Sequence, residues 1–237
     1  MNRRDLLSSF AITALTSAAQ EPSEPPVAAS LYIPQAHLVE DRKLLHDFMD
    51  DFAFVDLITT SPVLRITHLP VLLDRATGQY GTIHGHISRQ NVQTKAFDGN
   101  QPAVIVFRGP QGYISPAWYQ TRQAVPTWNF AVVHATGRLR PVTEPQALHA
   151  FLARLIAKFE SYQGTDYDFS KLPDSYVGGM LTGIIGFQMQ IELLEGKFKL
   201  GQERSEADRQ GILKNLQKAR GERSLHDLTE NFYKRKA

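Results

Sequence analysis

The stretch Asn129-Phe130-Ala131-Val132-Val133-His134-Ala135-Thr136-Gly137-Arg138-Leu139 is rich in β-branched and aromatic residues, the types that suit a pleated, half-buried surface. It sets the class of the fold, because four similar runs precede it at residues 53–59, 65–73, 79–86 and 103–107. Turn-forming residues at 74–78, 98–102 and 109–112 separate these runs. Short connections between successive strands predict an antiparallel barrel or sandwich. Upstream, Leu44, Leu45, Phe48, Met49 and Phe52 recur at helical spacing over 41–52, with Asp41 or Glu40 available as a cap. Beyond Arg140 the period changes to that of a helix, with Leu148, Phe151, Leu152, Leu155, Ile156 and Phe159 on one face of 144–161. Alternation through Phe187, Met189 and Ile191 over 184–194 then predicts a late strand that returns to the sheet. A last helix is expected over 205–218, with Ser205-x-x-Asp208 as its cap and Ile212, Leu213 and Leu216 inward. The fold class is thus mainly β with flanking helices, α+β, in one domain spanning 31–217. The six basic and three acidic residues of 218–237 read as a basic tail that forms a peripheral helix or a partly mobile arm.

The 237-residue chain is 42% hydrophobic and 21% charged, enough to bury a sizeable core and unlike a disordered chain. Lys and Arg number 26 against 24 Asp and Glu, a net charge of +2 that does not mark a nucleic-acid binder. Cys is absent, which removes disulfides, thiolate metal sites, iron–sulfur clusters and cysteine nucleophiles. Met1-Asn2-Arg3-Arg4-Asp5-Leu6-Leu7 places two arginines before an apolar run that ends in Ser17-Ala18-Ala19. This reads as a twin-arginine export signal over 1–19, cleaved after Ala19 and directing the chain to the periplasm. The run is shorter than the ~18–20 residues of a membrane span, so no stable span is expected. Pro22, Pro25 and Pro26 make 20–30 a solvated linker. If the two arginines are incidental, the chain is cytoplasmic.

Three groups of residues bear chemistry. At the end of a strand, His86-Ile87-Ser88-Arg89-Gln90-Asn91 presents a hydroxyl, a guanidinium and free backbone N–H groups, with Lys95 following. Such a set suits a phosphate, and equally a capped turn with a solvent-facing arginine. Ser115, Trp118, Tyr119, Trp128 and Asn129 combine flat apolar walls with fixed polar groups, as a planar heterocycle requires. Their bland reading is core or dimer-interface packing. His84 and His86 share one strand face, with His68 and His134 on other strands; hydrogen-bonded structural histidines outweigh a metal or haem site there. No Gly-x-Ser-x-Gly elbow, Walker loop or Gly-x-Gly-x-x-Gly turn occurs, which counts against hydrolase, kinase and Rossmann readings.

These residues resemble the PaiB family, described as FMN-binding negative transcriptional regulators within the FMN-binding split-barrel superfamily. The segments that carry the resemblance are Leu31-Tyr32-Ile33-Pro34-Gln35, Thr67-His68-Leu69-Pro70, His84-Gly85-His86-Ile87-Ser88-Arg89-Gln90-Asn91 and Tyr113-Ile114-Ser115-Pro116-Ala117-Trp118-Tyr119. Val125-Pro126-Thr127-Trp128-Asn129-Phe130, Val133-His134-Ala135-Thr136-Gly137 and Glu195-Gly196-Lys197-Phe198-Lys199-Leu200 continue it to about Leu216. The resemblance implies a split β-barrel that forms a homodimer with FMN between barrel and partner subunit. It implies a phosphate grip by Ser88, Arg89 and Lys95, with Asn91 in the same loop. It also implies that His68, Leu69, Pro70, Ser115, Trp118, Trp128 and Asn129 flank the isoalloxazine, some of them across the dimer.

The chain departs from the family's usual Arg-Ala-Asn-Pro in carrying Arg89-Gln90-Asn91-Val92, and from its Lys-Leu-Ser-Gln-Asn in carrying Lys199-Leu200-Gly201-Gln202-Glu203. The export signal further separates it from a repressor acting on cytoplasmic DNA. Two functions follow. One is an exported, FMN-dependent oxidoreductase or electron carrier acting on an unidentified small molecule. The other is an FMN-binding transcriptional regulator or ligand sensor without turnover. No residue stands out in the sequence as an acid, base or nucleophile.

Overall fold

The computed structural model describes residues 28–217 and 223–236; the expected export signal and most of the linker lie outside them. Its sheet is built from β1 (Leu38–Val39), β2 (Phe54–Thr59), β3 (Arg65–Pro70), β4 (Leu72–Asp74), β5 (Thr82–Ser88), β6 (Pro102–Ile114), β7 (Thr127–Val142) and β8 (Ile184–Lys199). The helices are α1 (Arg42–Asp51), α2 (Pro145–Gln163), α3 (Asp174–Leu181), α4 (Glu206–Leu216) and α5 (Arg223–Lys236). Strands pair antiparallel in the order β3-β2-β6-β7-β8-β5-β4, with β1 added along β8. The first and last strands of that order, β3 and β4, are joined in sequence by Val71 alone. The sheet therefore curls until its two ends meet through the chain itself, giving the split barrel in an α+β fold.

β7 shows why the chain curls this way. Its inward positions are Ala131, Val133, Ala135 and Leu139, all with no exposed area. At the bulge between Thr136 and Gly137, a Cβ on Gly137 would lie 2.2 Å from the Gln190 carbonyl oxygen, so only glycine lets β7 approach β8 there. The small inward alanines leave room for Phe107, Phe187, Phe198, Ile105 and Met189, which fill the barrel. Helix α1 closes one end, capped by Asp41, whose carboxylate accepts from the Leu44 N–H. It buries Leu45, Phe48 and Met49, and Phe48 meets Phe198 with ring centroids 5.0 Å apart. Helix α2 lies over the outer side of β5 and β8, forming a second small core from Leu148, Val177 and Leu181 with α3.

Several elements differ from the sequence expectation: the turn expected at 109–112 lies within β6, where the register shifts between Arg108 and Gln111, the run 65–73 divides into β3 and β4 at Val71, and α3 was not expected. The late strand runs on to Lys199 because Glu195 to Lys199 pair with β7 and β1. The segment expected as a peripheral tail contains α5, whose Leu225, Thr229 and Phe232 are buried. Phe232 packs on Phe198 at 5.7 Å in the main core, so the surface charges of the tail concealed a core-facing stripe. Replacing Phe232 by Ala should therefore cost about 3–5 kcal/mol, read as a lower urea midpoint; a change under about 0.5 kcal/mol, typical of surface sites, would return α5 to the periphery.

Candidate functional site

Where β3 ends, Val71 donates its N–H to the Ala53 carbonyl at 2.9 Å, and the chain turns into β4. β4 pairs with the first half of β5, Leu72 opposite His84 through Asp74 opposite Thr82. The second half of β5 pairs with β8 only, while β3 pairs with β2 only. β3 and the end of β5 thus part like the tines of a fork. At the base of this fork Gly85 admits the Phe187 ring, because a Cβ there would lie 2.5 Å from it and 3.2 Å from Leu69.

A cavity of about 650 Å³ occupies the fork, within the range of small-molecule sites. One wall is Thr67, His68, Leu69 and Pro70 of β3, and the other is His86, Ile87, Ser88 and Asn91. Gly179 and Met180 of α3 and the turn Thr182-Gly183-Ile184 form the floor. The loop after β5 is held on both sides. Asn91 Nδ2 donates to Thr67 Oγ1 at 2.9 Å, and Thr67 Oγ1 donates to Gln93 Oε1 at 2.5 Å. The buried Gln93 amide in turn donates to the Leu57 carbonyl and Thr59 Oγ1, both at 3.1 Å. Opposite, the Arg89 N–H donates to the Gly183 carbonyl at 2.9 Å. Its side chain donates from Nε to Thr182 O at 3.1 Å and from Nη2 to Ile184 O at 2.9 Å. Arg89 does not itself line the cavity; its guanidinium holds the backbone of the floor from behind.

Among the expected residues, His68, Leu69, Pro70, Ser88 and Asn91 come together in the fork, with Arg89 clamping its floor. Lys95 is exposed on the 3-10 turn Val92–Ala96 and does not line the cavity. The remaining four residues gather at another place. Ser115 caps the turn Pro116–Trp118 by accepting from the Ala117 N–H, and Trp118 packs partly against the core. Trp128 is 52% exposed and meets Tyr113 edge-on at 6.3 Å. Asn129 is buried beneath the turn at Gly201. Asp208 ties this region to α4, accepting from the Gln120 and Thr121 N–H groups at 2.7 and 3.1 Å. Its carboxyl is held below the usual range by the Thr121 hydroxyl, against a smaller opposing effect of burial.

The sequence reading singled out the segments of His86 and Thr67 without assigning either residue to the cofactor, and it missed Gln93 and the floor residues Gly179, Met180, Thr182, Gly183 and Ile184. It also missed Asp56 and Arg108, which stand beside His68 on the outer face. Asp56 lies opposite His68 in the β2–β3 ladder, with His68 Nδ1 2.5 Å from Asp56 Oδ1. Arg108 embraces the same carboxylate, Nε to Oδ2 at 3.0 Å and Nη2 to Oδ1 at 3.2 Å.

His86 has a buried Nδ1 with no hydrogen-bond partner and faces Phe151 of α2 edge-on at 5.7 Å. Burial pushes its pKa below the ordinary imidazole value. Burial does the same at His84, helped by Arg154 and opposed by Asp74, and at His134, opposed by Glu195. Among the described residues no group of three or more His, Asp or Glu is arranged to hold a metal ion. Because these folded-state values lie below that of the unfolded chain, the unfolded state takes up protons first as pH falls. Stability is therefore full above the ordinary value of about 6.5 and is lost as pH drops through it toward the folded values. Thermal melts should show Tm falling below about pH 6.5, with a shallower slope in His86→Gln; an unchanged slope in that variant would mean that His86 titrates freely in the folded chain.

The family model described as "Putative FMN-binding domain" matches residues 31–193. The chain is 31% identical over 188 residues to the "Protease synthase and sporulation protein PAI 2" of Bacillus subtilis, covering 79% of this chain and 89% of that one. It is 28% identical over 239 residues to an uncharacterized protein of Aspergillus fumigatus, covering 79% and 91% respectively. Among solved structures, the flavocytochrome Anf3 from Azotobacter vinelandii superposes with a TM-score of 0.52 at 12% identity, over 73% of this chain and 76% of that one. At that identity the likeness concerns the fold alone. Together with the split barrel, the extent of the family match establishes that this chain belongs to the PaiB family of FMN-binding split-barrel proteins, and that its cofactor is FMN.

Proposed function

We propose that this protein is an FMN-dependent redox protein that works as a homodimer outside the cytoplasm, with FMN seated in the fork between β3 and β5. The observation that carries this reading is the fork itself, a cavity bounded by two strand edges that do not pair with each other. Its donor set fits the cofactor. Leu69, Pro70, Ile87 and Met180 offer apolar surface to a flat ring. The unpartnered buried Nδ1 of His86, the Ser88 hydroxyl and Asn91 supply the few fixed polar groups such a ring and its hydroxylated chain need. Arg89 and Lys95, which do not line the cavity themselves, are the cations of the same loop that would meet the phosphate. Bound FMN supplies one- and two-electron exchange, and the protein supplies anchoring, orientation and exclusion of water.

The homodimer rests on the turn between β2 and β3, where Val63, Leu64 and Ile66 are 51%, 67% and 54% exposed. Clustered apolar exposure of this kind marks an association surface. A second copy is also the means by which the exposed Trp128–Tyr113 pair would reach a fork. Export rests on the twin-arginine pattern at Arg3 and Arg4. Among the described residues no helix is long and apolar enough to cross a membrane. The name of the Bacillus subtilis relative, which speaks of protease synthesis and sporulation, favours instead a regulatory role in which FMN acts as a sensor; finding the natural protein in the cytoplasm would favour that role.

FMN titration of the purified chain, followed by visible absorption, should give a bound-flavin spectrum, and Arg89→Ala should weaken binding by about 1.5–3 kcal/mol. A protein that ignores added FMN would overturn the assignment, and unchanged affinity in Arg89→Ala would remove that residue from it. Sedimentation of the same sample at twice 26.6 kDa is the mass expected of the homodimer.

A further inference from the structure

The cluster of Asp56, His68 and Arg108 lies at the rim of the fork, and the core does not depend on it. The Asp56 side chain retains 14% exposure, His68 59% and Arg108 65%, and ion pairs this exposed add little to stability. Its geometry is nonetheless specific. Both oxygens of Asp56 accept from one edge of the Arg108 guanidinium, through Nε and Nη2, which aims the carboxylate. An ionised carboxylate on Nδ1 selects the Nδ1–H form of the His68 ring. Nε2 is then the ring atom left to exchange a proton with a molecule in the cavity that His68 lines. The other groups facing that cavity are His86 and Ser88 of β5, with Arg89 behind them, whereas α3 contributes only the uncharged Gly179 and Met180.

We propose that His68 donates a proton through Nε2 to a substrate held against the FMN at the rim of the fork, with Asp56 as the positioning residue. This rests on the reading of the protein as an FMN-dependent redox protein and specifies the substrate class: a flat acceptor of the quinone type, whose oxygen must gain a proton as the ring gains electrons. An external nicotinamide or dithionite donor first reduces FMN. The acceptor then takes two electrons and one proton from reduced FMN, which ends oxidised. The second proton comes from His68 in its imidazolium form: the Nε2–H bond breaks, an O–H bond forms on the product hydroquinone, and the neutral imidazole, left with its proton on Nδ1, takes its next proton from water.

The test compares wild type, His68→Gln and Asp56→Ala in the full chain. FMN affinity is measured first by absorption titration. Without FMN, ring-nitrogen NMR of His68 should show the Nδ1–H tautomer in wild type and a shift toward Nε2–H in Asp56→Ala. With FMN bound and reduced by dithionite, oxidation by a water-soluble benzoquinone is then timed in all three proteins. His68→Gln should lower that rate by about a hundredfold. Asp56→Ala should lose less. If wild type binds no FMN, the underlying reading falls and the proposal falls with it. If FMN binds but the three proteins reduce quinone alike, or wild-type His68 carries its proton on Nε2, the proposal alone is overturned.

Discussion

The parting of β3 from β5 at Val71 is the constraint on which the rest of the molecule depends. A closed barrel would satisfy every backbone group of its strands, but here two strand segments turn edges toward each other without pairing. Backbone N–H and C=O groups left on such edges need other partners. The chain keeps the opening at a fixed width from both sides. On one side β3 and β4 are covalently continuous; on the other, Asn91, Thr67 and Gln93 run hydrogen bonds from the loop after β5 back to β2 and β3. Arg89 then ties that loop to the start of β8. The result is a cleft whose walls are rigid sheet, the sort of support that holds a cofactor without reorganisation.

The same opening explains the charge pattern around it. His84 and His86 point away from the barrel interior because Ile83 and Ile87 take the inward positions of β5. α2 then covers these histidines and strips water from them, so their neutral forms are favoured. His68 on the opposite tine has no such cover and instead meets Asp56 and Arg108. Two imidazoles thus line one cavity in different settings, one desolvated beneath α2 and one hydrogen-bonded to a carboxylate. Environments of that kind divide roles between chemically identical side chains.

Much of the architecture was legible in the sequence because burial imposes periods of two and of 3.6 residues. The alternation around Ala131, Val133 and Ala135 marked β7, and Leu45, Phe48 and Met49 marked α1. The buried side of α5 was obscured because Lys234, Arg235 and Lys236 dominate its composition while Leu225 and Phe232 are widely spaced. For the site, Thr67-His68-Leu69-Pro70 and Ser88-Arg89-Gln90-Asn91 stood out as segments, and the fold brings them face to face. The floor at 179–184 had no local signature, since it joins the site only after β8 has paired with β5. Asp56 was invisible for a similar reason: its partnership with His68 is a matter of strand register, twelve residues apart in the chain.

Hydrogen exchange measured with and without FMN tests the central claim most directly, since it reports where on the sheet the cofactor sits. The account predicts that added FMN slows exchange at the amides of 66–70, 86–91 and 179–184, on both tines and the floor of the fork. Protection confined to the segment from Ser115 to Asn129, or absent from 66–70 and 86–91, would contradict it.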